Sequence, residues 1–204
     1  MDTYANFAEL SAAECEGVDF SVCVVARDGA STVVVAPHGG GIEPGTSEVA
    51  KWIAAGDLSY AVFEGRKSTG NSRLHITSTN FDEPRFLALV RAAEHVLAIH
   101  GEGSQELVVY LGGRDVNLGK QIRTALERDG YVVAVHPNPD LQGMALNNVC
   151  NRGRRGVGVQ LELSSGLRKL FFESLKAEGR AKATSRLREF VDTVRKGLRD
   201  GGAL

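Results

Sequence analysis

A glycine-rich segment holds two side chains that suit a metal ion. His38 and Glu43 flank a run of glycines that directly follows the apolar stretch 31–36. Glycine lets the backbone turn tightly, so the two side chains can converge. Two His and one Glu form a recurrent ligand set in catalytic zinc sites. The spacing leaves two interpretations open: part of a zinc site, or a glycine-rich turn that binds an anion beside a hydrogen-bonding His38.

The pattern does not decide which histidine would be the third ligand. His95 falls within a helical pattern, and His75 falls within a β pattern. His100 and His136 each follow an apolar run, as His38 does. Both therefore remain candidates for the third ligand.

A second carboxylate lies in an apolar segment, 157–164. Apolar residues occupy its odd positions, so Gln160, Glu162 and Ser164 share the opposite face of a predicted strand. A carboxylate is costly to bury there unless it is paired or takes part in chemistry. Glu162 is therefore a candidate catalytic group, and the alternative is that it faces solvent from a half-exposed strand.

The elements that must position these residues alternate between strands and helices. β-Branched and apolar runs predict strands at 20–26, 31–36, 59–63, 73–77, 96–99, 106–111, 131–135 and 157–163. Helical patterns cover 47–55, 84–95, 117–128 and 181–198. This alternation predicts a single three-layer α/β domain over 1–204 with a mixed, largely parallel central sheet. In such a sheet ligands bind outside the carboxyl ends of the strands, which is where His38 and Glu43 follow 31–36.

Composition narrows the classes of function. The 204 residues carry a net charge of -1, so there is no global electrostatic attraction to nucleic acid or to an acidic membrane. Cys15, Cys23 and Cys150 show no C-x-x-C spacing, which argues against a disulfide framework or a cysteine zinc site. The N-terminal segment lacks a signal-peptide pattern, and no apolar run is long enough to span a membrane. We expect cytoplasmic synthesis, and release by cell lysis would leave no mark in the sequence.

Several longer motifs occur together in one order. They are the segments 36–48, 74–84, 100–101, 112–115, 148–152 and 158–164. In these motifs the chain resembles, over nearly its full length, the poly-γ-glutamate hydrolase family of bacteriophages and bacterial genomes. Members of that family are similar to zinc carboxypeptidases.

The resemblance implies a zinc-carboxypeptidase-like fold and hydrolysis of γ-glutamyl amide bonds, in poly-γ-glutamate or a γ-glutamyl peptide. It implies that zinc is held by His38, Glu43 and His100, and that Glu162 is the general base. This would resolve the choice between His100 and His136. His75 and Asp82 lie in a shared motif, where the expected role is support of the ligands.

A polyanionic substrate calls for guanidinium and amide donors. The expected oxyanion partner is Arg152, from its place in the motif 148–152. The other substrate-binding candidates are Arg114, Asn148, Asn151, Arg154 and Arg155. All but Arg114 lie in 137–156, the longest irregular stretch, which we interpret as a functional surface loop although such clusters are also common as solvated loops.

Other functions remain open at this level. One is a zinc peptidase or amidase acting on another peptide, such as a γ-glutamyl link in the cell wall. A nucleic-acid-binding module is suggested by the arginine-rich loop and the basic segment 181–198, but aromatic residues are not interleaved with the basic ones. The third is a metal-free anion-binding protein.

Overall fold

The computed structural model describes residues 2–204, and seven strands form one sheet. The strands are β1 (Phe20–Val25), β2 (Thr32–Gly40), β3 (Ser59–Gly65), β4 (His95–Glu102), β5 (Val108–Gly113), β6 (Val132–Ala134) and β7 (Val159–Ser164). The α-helices are α1 (Phe7–Ala13), α2 (Thr46–Ala54), α3 (Pro84–Ala92), α4 (Val116–Arg128), α5 (Ser165–Phe171), α6 (Ala177–Arg180) and α7 (Ser185–Asp200). Short 3-10 helices cover Asn71–Leu74, Pro139–Leu141 and Val149–Asn151.

The strand order across the sheet is β1-β3-β2-β4-β7-β5-β6. Neighbours are antiparallel in the β1–β3 and β7–β5 pairs and parallel in the other pairs. The prediction of a mixed, largely parallel sheet is confirmed. Because β2, β4 and β7 are adjacent and parallel, their carboxyl ends lie side by side at one edge of the sheet.

Each face of the sheet has its own apolar core under helices. One core contains Ile53 of α2, Ile122 of α4 and Phe190 of α7, all fully buried. The other contains Leu10 of α1 and Phe86 of α3. Apolar residues are therefore buried on both faces of the central strands, which explains their unbroken apolar runs and confirms the three-layer α/β architecture.

The end of β2 requires glycine at one position. Gly40 has a φ of 65°, and a Cβ atom there would lie 2.3 Å from the carbonyl oxygen of Gly65. Only glycine fits both the left-handed backbone and this close approach to β3. The chain can therefore reverse directly after β2, which brings Glu43 back towards His38.

Two predicted elements were wrong in ways that affect histidines. The segment 73–77 is not a strand: a 3-10 helix ends at Leu74, and the chain then crosses the end of the sheet with Ile76 buried in the core of the α3 face. Its alternation reflects packing over strand ends and not pairing with another strand. His95 is not helical, because α3 ends at Ala92 and the backbone nitrogens of Glu94 and His95 both bond to the carbonyl oxygen of Ser31.

Other differences concern the ends of elements. The last helix begins at Ser185 and not at 181, because Thr184 is extended and bonds to Phe171. Helices α1 and α5 were not predicted, although both carry a side-chain N-cap: Asn6 accepts from Glu9 and Ser164 from Leu167. Within residues 2–204, no helix is long and apolar enough to cross a membrane.

Candidate active site

Three predicted ligands converge at the carboxyl ends of β2 and β4. The Nδ1 atom of His38 lies 2.9 Å from Oε1 of Glu43 and 3.2 Å from Nδ1 of His100. The Nδ1 atom of His100 lies 3.6 Å from Oε2 of Glu43. Both histidines are only 2% exposed. Two imidazoles and a carboxylate thus direct donor atoms at one point.

The spacing of these donor atoms suits a zinc ion. With ligand bonds of about 2.0–2.1 Å, a tetrahedral zinc separates its ligand atoms by about 3.3 Å. The three measured separations, 2.9, 3.2 and 3.6 Å, lie around this value. Two imidazole nitrogens that face each other beside a carboxylate oxygen can all donate lone pairs to one shared cation. The residues therefore fit the metal that the resemblance implies.

The segment that was predicted as a strand instead orients the histidines. The carbonyl oxygen of Ile76 lies 2.8 Å from Nε2 of His38. The hydroxyl of Ser78 lies 3.4 Å from Nε2 of His100. In each of these two histidines, Nε2 therefore contacts an oxygen of the segment 75–78, and Nδ1 faces Glu43. Such outer partners fix the tautomer and the ring orientation of metal-binding histidines.

Glu162 lies beside this cluster. It is the register partner of His100 in the parallel β4–β7 pair and is only 5% exposed. The interpretation of Glu162 as a solvent-facing carboxylate is therefore wrong. Gln160, on the same face of β7, donates from Nε2 to Oε1 of Glu162 at 3.0 Å and to the carbonyl oxygen of Leu141 at 3.0 Å. The carboxylate is thus held in one orientation from within its own strand.

The buried charges shift one another's pKa values. Burial raises the pKa of Glu162 to about 7, with Glu43 and Glu102 adding to the effect of burial and His100 opposing it. Burial also disfavours the charged form of Glu43, but His38 and His100 outweigh it and hold the pKa of Glu43 well below its usual range. For His100, burial is outweighed by Glu162 and Glu43, which raise its pKa. Glu43 therefore favours its ionised form strongly, whereas the raised pKa of Glu162 suits a group that takes up and releases a proton.

The cluster opens into a cavity of about 770 Å³. His38, Glu43, His100 and Glu162 form its floor, and the segments 77–79, 101–103 and 139–145 form its walls. His75, His136, Asn148 and Gln160 also line it. Among the described residues no arginine or lysine lines this cavity. Apart from the histidines, its polar donors are therefore neutral side chains and backbone amides.

The arginines expected at the substrate are engaged elsewhere. Arg152 donates to the backbone carbonyls of Phe81 at 2.7 Å and Thr79 at 2.6 Å, and also to those of Asn147 and Ser78. All of its donor nitrogens thus bond to backbone, and it braces the wall that carries Ser78. Arg154 bonds to Glu94 and Arg155 to Asp115 and His95.

The structure does not bring Arg154 and Arg155 to the cavity. Arg155 contacts the first residue of β4, which lies about 16 Å from His100 at the usual rise of a strand. Arg114 donates to the carbonyl oxygen of Met144, and its buried Nε has no partner within residues 2–204. Arg114, like Arg152, therefore contacts a wall of the cavity from behind through a backbone carbonyl.

The two asparagines differ in their surroundings. Asn148 lines the cavity and donates to Oε1 of Gln160 at 3.2 Å. Asn151 is buried and donates to the carbonyls of Gly143 and Ala145, so it holds the wall and does not face the cavity. Asp82 accepts from the backbone nitrogen of Phe7, which anchors the start of α1 away from the histidines.

Sequence reasoning missed three residues around the cluster. Gln160 was noted only as a neighbour of Glu162 on the strand. The buried guanidinium of Arg168 donates to the carbonyls of Pro44, Glu102 and Leu163, which directly follow or nearly follow Glu43, His100 and Glu162. Asp2 bonds to His75 through Oδ1 at 2.7 Å. Only Gln160 carried a sequence signal, its alternation with Glu162, because the other two act from segments distant in the sequence.

Known proteins place the chain in a family. A family model described as poly-gamma-glutamate hydrolase matches residues 4–193. The chain belongs to the poly-γ-glutamate hydrolase family. UPF0714 protein YndL of Bacillus subtilis strain 168 is 37% identical over 198 residues, which are 95% of this chain and 76% of that protein. YmaC of the same strain is 36% identical over 180 residues, covering 88% of this chain and 76% of YmaC.

Solved structures of the family share the whole fold. The structure of a bacteriophage poly-γ-glutamate hydrolase matches with a TM-score of 0.92 and 31% identity, covering 98% of each chain. A zinc-free apo structure of YndL matches with a TM-score of 0.92 and 36% identity, also covering 98% of each chain. N-formylglutamate amidohydrolase from Ralstonia eutropha is 14% identical with a TM-score of 0.52 over 91% of this chain and 97% of that one, and shares the fold alone. The predicted family and α/β fold are confirmed, and family membership identifies the chain as a hydrolase.

Proposed function

We propose that this hydrolase is zinc-dependent and cleaves γ-glutamyl amide bonds, with poly-γ-glutamate as its substrate. The observation that carries the proposal is the convergence of His38, Glu43 and His100 on one point beside the buried carboxylate of Glu162. We assign the first three as metal ligands and Glu162 as the general base. The zinc-free description of the YndL structure supports the choice of metal.

The chemistry divides between the metal and the chain. When bound, zinc acts as a Lewis acid that polarises the scissile carbonyl. Glu162 accepts the proton of the attacking water and passes it to the leaving amine, a role that suits a carboxylate with a pKa near the operating pH. Gln160 holds the carboxylate in place for both transfers.

The side chains that line the cavity indicate how it could bind the carboxylates of the substrate. Each γ-linked glutamate carries a free α-carboxylate, which needs hydrogen-bond donors. In this cavity the donors are neutral, such as the amide of Asn148 and the hydroxyls of Thr77 and Thr79. We propose that they bind the carboxylates next to the cleaved bond, with Arg114 as a cation behind the wall at Met144.

A nucleic-acid-binding function has less support. The loop arginines that suggested it have local partners: Arg154 pairs with Glu94, Arg155 with Asp115, and Arg152 binds backbone carbonyls. The loop is therefore a braced wall and not a free basic surface. A metal-free anion-binding protein would not need the buried Glu162 next to two imidazoles.

The test is turnover of purified γ-linked polyglutamate, followed by chain length and by release of new amines. Activity should disappear with a chelator and return with stoichiometric zinc. Glu162→Gln serves as the inactive control of the same shape. If the polymer stays intact while a γ-glutamyl cell-wall peptide is cleaved, the substrate assignment is wrong and the zinc assignment stands. Full activity in the presence of a chelator that has removed all metal would contradict the zinc assignment.

A further inference from the structure

A third histidine, His75, is oriented by an outer hydrogen-bond partner, as the two proposed histidine ligands are. The Nδ1 atom of His75 lies 2.7 Å from Oδ1 of Asp2. The other carboxylate oxygen, Oδ2, accepts from the backbone nitrogen of Thr77 at 2.6 Å. Asp2 is therefore fixed at both oxygens, and it in turn fixes the ring of His75. Among the three histidines, this outer contact is the shortest and the only one made by a charged group.

The position of His75 places its ring at the cluster. Its ring packs against that of His38, with 4.0 Å between the centroids, and it lines the cavity. A donor atom of His75 lies within 4.8 Å of donor atoms of both His38 and Glu43. Because an ionised Asp2 accepts the proton on Nδ1, Nε2 of His75 carries a lone pair that is free for another partner.

Two overlapping sets of donors therefore share His38 and Glu43. One set is completed by His100, whose donor atom lies within 3.6 Å of both. The other is completed by His75, with the three donor atoms within 4.8 Å of one another. The shorter separations make His100 the primary third ligand.

We propose that His75 is a further protein ligand of the metal, with Asp2 as the carboxylate that orients it. This inference rests on the proposed zinc dependence and extends its ligand set. Carboxylate, imidazole and metal in line are a recurrent arrangement in which the carboxylate fixes the tautomer and strengthens the ligand. Here the carboxylate comes from the second residue of the chain, more than 70 positions from the histidine that it orients.

The test counts the imidazoles on the metal without measuring activity. X-ray absorption of the zinc-loaded full chain should report three imidazoles per zinc, and two in His75→Ala. The visible spectrum of the cobalt-loaded protein should change in His75→Ala. Competition with a chelating dye should show zinc affinity lowered by about 10-fold to 100-fold in Asp2→Asn, as for other outer carboxylates.

The matched control is His136→Ala, which removes another histidine of the same cavity and should leave the cobalt spectrum and zinc affinity unchanged. His75→Gln provides a second variant if His75→Ala does not fold, as judged by circular dichroism. Two imidazoles in the wild type, or an unchanged cobalt spectrum in His75→Ala, would overturn the inference. If His38→Ala also leaves zinc binding unchanged, or if the wild type binds none, the proposed zinc dependence fails as well.

Discussion

Glu43 accepts a hydrogen bond from the backbone nitrogen of Gly101 through Oε2 at 2.8 Å. Its other oxygen faces His38 at 2.9 Å. The carboxylate thus joins the turn after β2 to the residue that follows His100 on β4. This contact sets the direction of the carboxylate before a metal binds, which lowers the cost of assembling the ligands.

Glu43→Gln should bind zinc much more weakly than the wild type. The amide is neutral, and its nitrogen cannot accept from Gly101, so both the ligand charge and the preset orientation are affected. Metal content after dialysis and affinity by competition measure the effect. His38→Ala and His100→Ala should behave in the same way, and His136→Ala should not. Loss of zinc in His136→Ala with retention in His100→Ala would reverse the assignment of the third ligand.

Glu162→Gln should keep zinc and substrate affinity but lose activity by about 100-fold to 10,000-fold, the range for removal of a general base. The amide fits the same space beside Gln160 and cannot take a proton. Zinc content measured next to turnover separates this role from that of Glu43. Near-normal turnover would remove Glu162 from the chemistry, and loss of zinc would make it a ligand.

Gln160→Leu should lower kcat and leave zinc content unchanged. The variant loses the donor that holds the Glu162 carboxylate at 3.0 Å. A hydrogen bond to a charged group contributes about 1.5–3 kcal/mol, which corresponds to a loss of roughly 10-fold to 100-fold if it acts in the transition state. Separate values of kcat and KM are needed. A change confined to KM would indicate that Gln160 contacts substrate and does not position the base.

Arg168→Met should lower the free energy of unfolding of the metal-free protein by about 3 kcal/mol, because one buried and two partly buried carbonyls lose their donor. Urea denaturation measures it. Lys169→Met, the neighbouring exposed residue, is the matched control and should change stability by less than about 0.5 kcal/mol. A loss below about 1 kcal/mol for Arg168→Met would show that water replaces the guanidinium.

Arg152→Ala should leave zinc bound but weaken catalysis, since the wall with Ser78 and Thr79 loses its brace. Arg152→Lys should rescue it only in part, because one ammonium cannot reach the four carbonyls that the planar guanidinium reaches. Turnover, zinc content and thermal unfolding together test this. Unchanged activity and stability in Arg152→Ala would show that the wall holds without the guanidinium.

The local sequence pattern was sufficient to predict most strands of the sheet and some residues of the site. An unbroken apolar run identified β2, because a strand covered on both faces has no polar side, and alternation identified β7. The glycines at the end of β2 pointed to a turn, and motif order identified the family and hence His38, Glu43 and His100 as expected ligands. The pattern of β7 also placed Gln160 and Glu162 on one face.

Pairing between distant segments was decided only by the tertiary structure. Sequence periodicity could not show that the alternation in 73–77 comes from packing over strand ends, since Ile76 is buried there without any strand partner. Nor could it show that Asp2 bonds to His75, or that Arg152 and Arg168 donate their hydrogen bonds to backbone carbonyls. A side chain's charge and size are local properties, whereas its partner depends on which strand ends the fold brings together. For that reason the residue types of this site were readable from the sequence, and their contacts were not.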